Sequence, residues 1–215
     1  MYAVGHLALA YLTGKAATNT FKVRMEIPLV LALSVLPDID FLLTGVQHRG
    51  PTHSIIILAL PLIALAIYKR KTSIPYIAAI LQHLASDILN ASGIQLLWPL
   101  SAKFYGVAIT ASVDISAEWA LFLASTIVLA KTGDLKALIT GSGWENLALL
   151  IPINSIFSPL FLHIPIIITT LLYIPHIILL SILILPFLNT ILKKTHSLKS
   201  GNSPSAIPKN PKTQQ

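Results

Sequence analysis

The longest stretch of the chain without Asp, Glu, Lys or Arg runs from Asn146 to Leu192, and it constrains the fold more than any other feature. As a continuous helix it would be about 70 Å long, enough for two crossings of a hydrocarbon core about 30 Å thick. Pro159 and Pro165 offer a place to turn, because proline disfavours helix in the residue before it. We therefore expect a transmembrane helix from Ile166 to Leu192.

Composition supports a membrane protein. Of the 215 residues, 54% are hydrophobic and only 11% are charged, whereas soluble domains carry about 25% charged residues. The length fits one domain. The net charge of +7 does not indicate nucleic-acid binding, because the basic residues lie in short loops and a tail between apolar runs. The chain has no cysteine, so any metal site must use nitrogen and oxygen ligands.

The remaining apolar runs are rich in Leu and Ala and lack the alternation of strands, which predicts an all-α, polytopic helical bundle. Their lengths are marginal for a full crossing, so they are either short spans or helices partly sunk in the bilayer. These runs are Tyr2–Gly14, Ile27–Leu43, Ile55–Tyr68, Ile74–Leu89 and Ser116–Ala130.

The basic residues fall in alternate connections, with Arg49 and Lys103 as the exceptions. If every run crosses, the positive-inside rule places the basic loops and the C-terminus in the cytoplasm and the N-terminus outside. We divide the chain into a helical core (residues 1–130), C-terminal transmembrane helices (131–192) and a disordered, basic cytoplasmic tail (193–215).

Acidic residues and histidines gather at the ends of these runs, and the topology places all of them toward the extracytoplasmic side. Ionisable groups at membrane depth are costly, which favours a shared function over isolated roles. A divalent cation lets neighbouring carboxylates stay ionised, and carboxylate with imidazole suits zinc, iron or manganese. We predict metal binding by His6, Asp38, Asp40, His53, His83, Asp87, Asp114 and Glu118.

Two pairs have helical spacing. His83 and Asp87 lie four residues apart in LQHLASDIL, so they share a helix face and can either bind one ion or hydrogen-bond each other. Asp114 and Glu118 have the same spacing in DISAE, where the alternative is a solvated helix start favoured by the helix dipole.

The LPDID and HRGPTHS segments add further candidates. Asp38 and Asp40 follow Pro37, where an N-cap or turn is the alternative to a metal site. Because residues two apart lie on different faces of a helix, we expect one of these aspartates to bind metal. The other would orient a histidine or act as a general base. Arg49 is a candidate phosphate clamp, since a guanidinium can bind phosphate through two hydrogen bonds.

GH near the N-terminus, LPDID, HRGPTHS, HLASD and the later G…LLWP, from Gly93 to Pro99, together resemble a known family over about residues 1–120. It is the bacterial and archaeal family of membrane-bound metal-dependent hydrolases. Its YdjM-like branch is labelled as LexA-binding, inner-membrane-associated hydrolases. That family is distantly similar to the zinc-dependent phospholipase C and single-strand nuclease superfamily, which is all-helical with three zinc ions.

The resemblance implies a ligand order. His6, one of Asp38 or Asp40, His53, and the pair His83 and Asp87 match that superfamily in sequence order. Asp114 and Glu118 keep the spacing of its last pair, with Asp in place of His. The N-terminal tryptophan and one further histidine of the superfamily have no counterpart, so the resemblance implies two Zn²⁺ ions, with Mn²⁺ or Fe as alternatives.

Together with the resemblance, the sequence predicts a membrane-bound metal-dependent hydrolase whose site opens at the level of the lipid headgroups on the extracytoplasmic side. Its expected partners are membrane lipids and a small amphipathic phosphoester substrate, such as a phospholipid headgroup, and the substrate class follows from the resemblance. Asp38, Asp40 and Arg49 are the predicted catalytic residues. Intramembrane Asp, Glu and His are also typical of divalent-cation transporters and channels, although transport sites lie near the bilayer midplane. A non-catalytic membrane protein with a structural metal is the third alternative.

Overall fold

The computed structural model of the protein describes residues 1–109, 114–140, 153, 156–157 and 166–200. Within these residues there are helices and loops but no strand, and Ile94 and Tyr105 form an isolated antiparallel bridge. The predicted all-α class is confirmed. The α-helices are α1 (Ala3–Phe21), α2 (Ile27–Ser34), α3 (Ile55–Lys69), α4 (Ile74–Ile88), α5 (Ile115–Thr132), α6 (Asp134–Thr140) and α7 (Ile166–Ser200).

Helix α1 lies at the centre of the bundle and packs against α2, α4, α5 and α7. Its sequence is rich in Ala and Leu, which favour helix, and it buries Val4, Leu7 and Tyr11. The helix ends where Lys22 adopts a left-handed conformation (φ 54°) and its N–H bonds to the carbonyl of Thr18.

The sequence suggested one helix for the second apolar run, Ile27–Leu43, but the structure divides the run into two segments. Helix α2 ends at Ser34, and a 3₁₀ segment follows from Leu36 to Leu42. Pro37 lies at the start of this segment. Proline has no N–H to continue an α-helix and disfavours α-helix in the residue before it, which explains the break. The break turns the chain at the point where Asp38 and Asp40 occur.

Helices α3 and α4 run side by side in opposite directions, joined by the 3₁₀ turn Arg70–Ser73. Ser54 caps α3 by accepting a hydrogen bond from the N–H of Ile56. Helix α3 buries only Leu58 and exposes most of its apolar side chains. Helix α4 is largely buried, including Tyr76, Ile80 and Leu84.

Two helices of the described residues are long and apolar enough to cross a membrane, namely Ile115–Thr132 and the segment Thr170–Asn189 within α7. Helix α7 continues through Ser200, beyond the boundary at residue 193 that we drew from the first lysine after the apolar stretch. Lys, Ser and Leu are all compatible with continued helix. The tail at 201–215 and the predicted crossing before Pro165 lie outside the described residues.

The N-terminal and C-terminal parts of the chain share one core. Leu179 and Leu183 of α7 pack in the same buried cluster as Leu7 and Tyr11 of α1. The predicted boundary at residue 130 also falls inside α5, which ends at Thr132. Helices α6 and α7 are therefore part of the bundle and do not form a separate unit.

The bundle has two chemically different ends. At one end, Lys15 pairs with Asp134 and Lys69 pairs with Glu26, close to the exposed Lys22. We call this the basic end. The N-terminus of α1, the 3₁₀ segment after α2, the start of α3 and the C-terminus of α4 lie at the opposite end, which we call the site end.

Candidate metal centre

Six of the eight predicted ligands converge at the site end. His6 lies in the first turns of α1, and Asp38 and Asp40 lie in the 3₁₀ segment. His53 lies in the turn before α3, and His83 and Asp87 lie in α4. His6, His53, His83, Asp40 and Asp87 are buried, and Asp38 is partly exposed. Three overlapping groups among these residues and His48 place their donor atoms close enough to hold a metal ion.

Four donor atoms form the centre of the cluster. The Nε2 atom of His53 lies 3.3 Å from Nε2 of His83, 3.4 Å from Oδ1 of Asp38 and 3.5 Å from Oδ2 of Asp87. Nε2 of His83 lies 3.6 Å from the same Asp38 oxygen and 3.5 Å from the same Asp87 oxygen. Ligands about 2.0–2.1 Å from a tetrahedral zinc ion are about 3.3–3.4 Å apart, so the spacing fits such an ion.

The histidine rings are oriented by groups behind them. Nδ1 of His83 lies 2.6 Å from the carbonyl oxygen of Ser34, which can only accept, so this nitrogen carries the proton and Nε2 presents its lone pair to the cluster. Nδ1 of His6 contacts the hydroxyl of Ser86 at 3.2 Å, and Nε2 of His6 faces Asp87. The His6 and His83 rings stack with centroids 3.8 Å apart. These contacts fix the direction of each Nε2 atom.

The carboxylate of Asp87 has a different set of neighbours at each oxygen. Oδ2 faces His53 and His83, whereas Oδ1 lies 3.6 Å from Nε2 of His6 and 3.3 Å from Nη2 of Arg49. The amino group of Met1 lies 3.4 Å from the same Oδ1 atom. Asp87 therefore joins the two halves of the cluster, and the predicted phosphate clamp Arg49 lies directly beside it.

Asp40 supports the cluster from behind. Its Oδ2 atom accepts hydrogen bonds from the N–H of Arg49 and the hydroxyl of Thr52, both at 3.0 Å, and lies 3.4 Å from Nδ1 of His53. His48 Nδ1 is 3.2 Å from Oδ1 of Asp40. Burial opposes ionisation of Asp40, but hydrogen bonds from His48 and His53 hold its pKa at about 2.

Asp38 and Asp40 thus have different environments. Asp38 presents its oxygen to the Nε2 atoms of His53 and His83, whereas Asp40 contacts the Nδ1 side of His53. The two aspartates therefore contact opposite nitrogens of the same imidazole ring.

The HRGPTHS loop is held in place by the segment after α4. The N–H of Gln95 bonds to the carbonyl of Arg49, and the hydroxyl of Ser54 bonds to the carbonyls of Leu96 and Trp98. Arg49 has a positive φ of 63°, which this loop tolerates because the N–H of Arg49 bonds to Asp40. The turn at Gly50 and Pro51 directs His53 toward the cluster.

Gly93 allows this segment to fold on itself. It has a φ of +62°, and a Cβ atom at this position would lie 2.6 Å from the backbone of Tyr105. The backbone groups of Ile94 and Tyr105 bond to each other at 3.0 and 2.8 Å. The GxQLLWP motif is therefore a support for the HRGPTHS loop.

Asp114 and Glu118 do not join the donor groups, contrary to the prediction. Asp114 is the N-cap of α5 and accepts a hydrogen bond from the N–H of Ala117. Glu118 is fully buried and accepts a hydrogen bond from the N–H of Tyr2 at the start of α1. A cap and an acid in the first turn have the same four-residue spacing as a pair of ligands, which is why the sequence was ambiguous.

Glu118 rests directly on α1. A Cβ atom at Gly5 would collide with the Glu118 carboxylate, so the glycine of the GH motif makes room for it. Its carboxyl group lies at the N-terminus of α1, where backbone N–H groups have no partner within the helix. Glu118 therefore ties α5 to the helix that carries His6.

We expect Glu118→Gln to leave the metal content unchanged and to lower the free energy of unfolding by about 1 kcal/mol, because it weakens the buried hydrogen bond that Glu118 accepts from the N–H of Tyr2. Bound metal per chain and thermal unfolding in detergent would measure the two effects. Glu26→Gln, which changes an exposed acid at the basic end, is the matched control. Loss of metal with unchanged stability would restore Glu118 as a ligand.

Several residues that complete the site had no predicted role. His48 and Thr52 contact Asp40, while Ser34 and Ser86 orient histidines through a carbonyl and a hydroxyl. His48, the first histidine of HRGPTHS, could have been identified from its position just before the turn at Gly50 and Pro51. A backbone carbonyl such as that of Ser34 leaves no signal in the sequence.

A family model described as YdjM inner membrane protein matches residues 1–185. This range contains the whole cluster and extends beyond the part for which the motifs indicated a resemblance. No curated protein and no solved structure matches the chain.

Proposed function

Because the chain belongs to the YdjM inner membrane protein family, we propose that it is a membrane-bound, metal-dependent hydrolase that acts on a phosphoester. The family membership accounts for the location in the membrane, and the cluster of histidines and aspartates supports the chemistry. The hydrolase activity and its phosphoester substrate are our proposal.

The observation that carries the proposal is the spacing of the four central donors. Five distances of 3.3–3.6 Å join the Nε2 atoms of His53 and His83 to each other and to oxygens of the buried Asp87 and the partly exposed Asp38, and these distances match edges of a small tetrahedral site. Nitrogen and oxygen donors without thiolate suit Zn²⁺, and also Mn²⁺ or Fe. We propose that His53, His83, Asp38 and Asp87 hold one ion.

A second ion is proposed on the other side of Asp87. His6, His83 and Asp87 form one donor group, but the single free lone pair of His83, on Nε2, serves the first ion. Oδ1 of Asp87 faces His6, whereas Oδ2 faces His53 and His83, so His6 and Oδ1 of Asp87 are the donors we propose for the second ion. Bound divalent ions supply Lewis-acid catalysis and lower the pKa of a water molecule toward neutrality.

The remaining residues are assigned by their contacts. Arg49 directs a guanidinium to the edge of the cluster beside Asp87, where it can bind the phosphoryl oxygens of the substrate. Asp40 positions His53 and holds His48, whose side chain is 39% exposed. His48 is therefore the group we propose to exchange protons with solvent, with its orientation fixed by Asp40 and by stacking on Phe41.

We also propose that the protein spans the membrane several times, with the site on the extracytoplasmic side and the C-terminus in the cytoplasm. The two ends of the bundle support this arrangement, since the basic loops meet at the end opposite the cluster. Basic loops favour the cytoplasmic side of a membrane.

The function is tested by metal analysis of the purified protein together with a phosphodiesterase screen. Wild type is expected to hold zinc and to hydrolyse a phosphodiester. Arg49→Lys is expected to keep the metal and to lose about 1.5–3 kcal/mol of transition-state binding, because an ammonium cannot form the bidentate contact. Arg70→Lys, at the basic end, is the matched control and should retain full turnover. Cation flux in liposomes without ester turnover would contradict the proposal and favour a transporter.

A further inference from the structure

The loops around the cluster expose large apolar side chains. Leu42 is 71% exposed, Leu100 is 84% exposed and Ile109 is 72% exposed, although none of them lies in an α-helix. Connecting loops that face water are normally polar. We define the apolar rim as Ile39, Leu42, Leu43, Leu100, Val107 and Ile109.

The rim belongs to the site end because its two segments are bonded to the cluster elements. Ile39, Leu42 and Leu43 lie on or directly after the 3₁₀ segment that carries Asp38 and Asp40. The N–H groups of Val107 and Ile109 bond to the carbonyls of Ile88 and Leu89, just after Asp87. The apolar rim therefore adjoins the cluster.

Charge on these segments is scarce. Residues 41–48 contain no Asp, Glu, Lys or Arg, and residues 88–109 contain only Lys103. The basic end has the opposite character, with exposed Lys22, Arg24, Arg70, Lys71, Lys131 and Lys136. The basic end is suited to water and headgroups, and the site end is suited to an apolar environment.

The lengths of the helices agree with this contrast. Helices α3 and α4 each have 15 residues and connect the two ends. At 1.5 Å per residue they are about 22 Å long, shorter than a hydrocarbon core about 30 Å thick. If the basic end lies at one membrane surface, the ends of α3 and α4 that carry the cluster lie below the opposite surface.

Irregular backbone at membrane depth must satisfy its hydrogen bonds within the protein. The segment after α4 does so through the paired bonds of Ile94 and Tyr105 and the bonds of Val107 and Ile109 to the end of α4. The side chain of Gln95 bonds to the carbonyl of Ala102, and its N–H bonds to Arg49. The loop is thus built in a way that tolerates an apolar surrounding.

We propose that the site end is submerged in the bilayer, with the apolar rim in contact with lipid acyl chains, and that the site receives its substrate from the membrane. The substrate class is a phosphoester that carries an acyl or prenyl chain, and the rim binds that chain. The placement in the bilayer stands on the rim and helix lengths, whereas the substrate class rests on the proposed function.

The placement is tested by single-cysteine labelling, because the chain has no native cysteine. Leu42→Cys, Leu100→Cys and Ile109→Cys would carry bimane in the full-length protein, reconstituted in phosphatidylethanolamine and phosphatidylglycerol vesicles. Acyl-chain spin-labelled lipids are expected to quench most of their fluorescence. In separate samples without bimane, an impermeant maleimide should not react with the same cysteines. Lys22→Cys and Lys136→Cys, at the basic end, should behave in the opposite way.

Reaction of the rim cysteines with the impermeant maleimide, without quenching by lipid, would overturn the placement. Protection from both reagents would also overturn it, because it would show that another protein chain covers the rim.

The substrate class is tested by Leu100→Asn combined with Leu42→Asn. Turnover of a long-chain phosphodiester in vesicles should fall about tenfold, because apolar contact with the chain is lost. Turnover of a water-soluble phosphodiester should not change, and neither should bound metal. An equal loss for both substrates would overturn the assigned role of the rim. If wild type turns over neither substrate, the proposed function and the substrate class fail, while quenching by lipid would still establish the placement.

Discussion

Asparagine in place of Asp87 is expected to remove the bound metal. Asp87 contributes an oxygen on each side of the cluster, and it lies 3.5 Å from the Nε2 atoms of both His53 and His83. Asparagine has one oxygen and no charge, so it leaves the buried cations of the site without their counter-charge. Breaking a buried charge pair costs about 3–5 kcal/mol, which corresponds to a loss of affinity of about two to four orders of magnitude.

The measurement is bound zinc per chain after gel filtration, followed by titration of zinc into the stripped protein. Asp134→Asn is the matched control, because Asp134 pairs with Lys15 and Tyr11 at the basic end. That variant should keep its zinc. An Asp87→Asn protein with the wild-type affinity for zinc would contradict the assignment of the cluster as a metal site.

The second large effect is expected to divide Asp38 from Asp40. Asp38→Asn should lose both metal and turnover, because Asp38 faces the same Nε2 atoms as Asp87. Asp40→Asn should retain metal at saturating zinc but show about 10–100-fold lower activity or affinity, because Asp40 only orients its histidine neighbours.

Zinc content and kcat/KM, measured for both variants across a range of zinc concentrations, separate these outcomes. If both variants had full metal and full activity, neither aspartate would belong to a working site. If Asp40→Asn were the variant that lost its metal at every concentration, the roles of the two residues would be exchanged.

The convergence of the cluster could be predicted from the sequence because its residues have helical spacing or lie near the ends of apolar runs. His83 and Asp87 lie on one face of a helix by their spacing, and the structure places both in α4. The positions of His6 and His53 near the ends of apolar runs indicated the same side of the bundle. The ends of apolar runs and helical spacing are local properties of the sequence, so they can be recognised without knowledge of tertiary contacts.

The division of roles could not be predicted in the same way. Asp38 and Asp40 lie in a 3₁₀ segment that follows a break at Pro37, and only its path shows which oxygen faces the histidines. Glu118 matched the spacing of a ligand, but its partner is the N–H of Tyr2, far away in the sequence. Contacts between distant backbone groups leave no local pattern, so the sequence could not distinguish a ligand from a cap.

The hydrogen bond between Glu118 and Tyr2 joins two parts of the site that are synthesised at different times. The six clustered residues all lie within the first 87 positions, so the ribosome makes them before α5 and α7, which contain the candidate membrane spans of the described residues. The start of α1 gains its acidic partner only when α5 has been translated and packs against α1. The ligands are thus synthesised before the helix whose carboxyl group accepts the hydrogen bond from the start of α1.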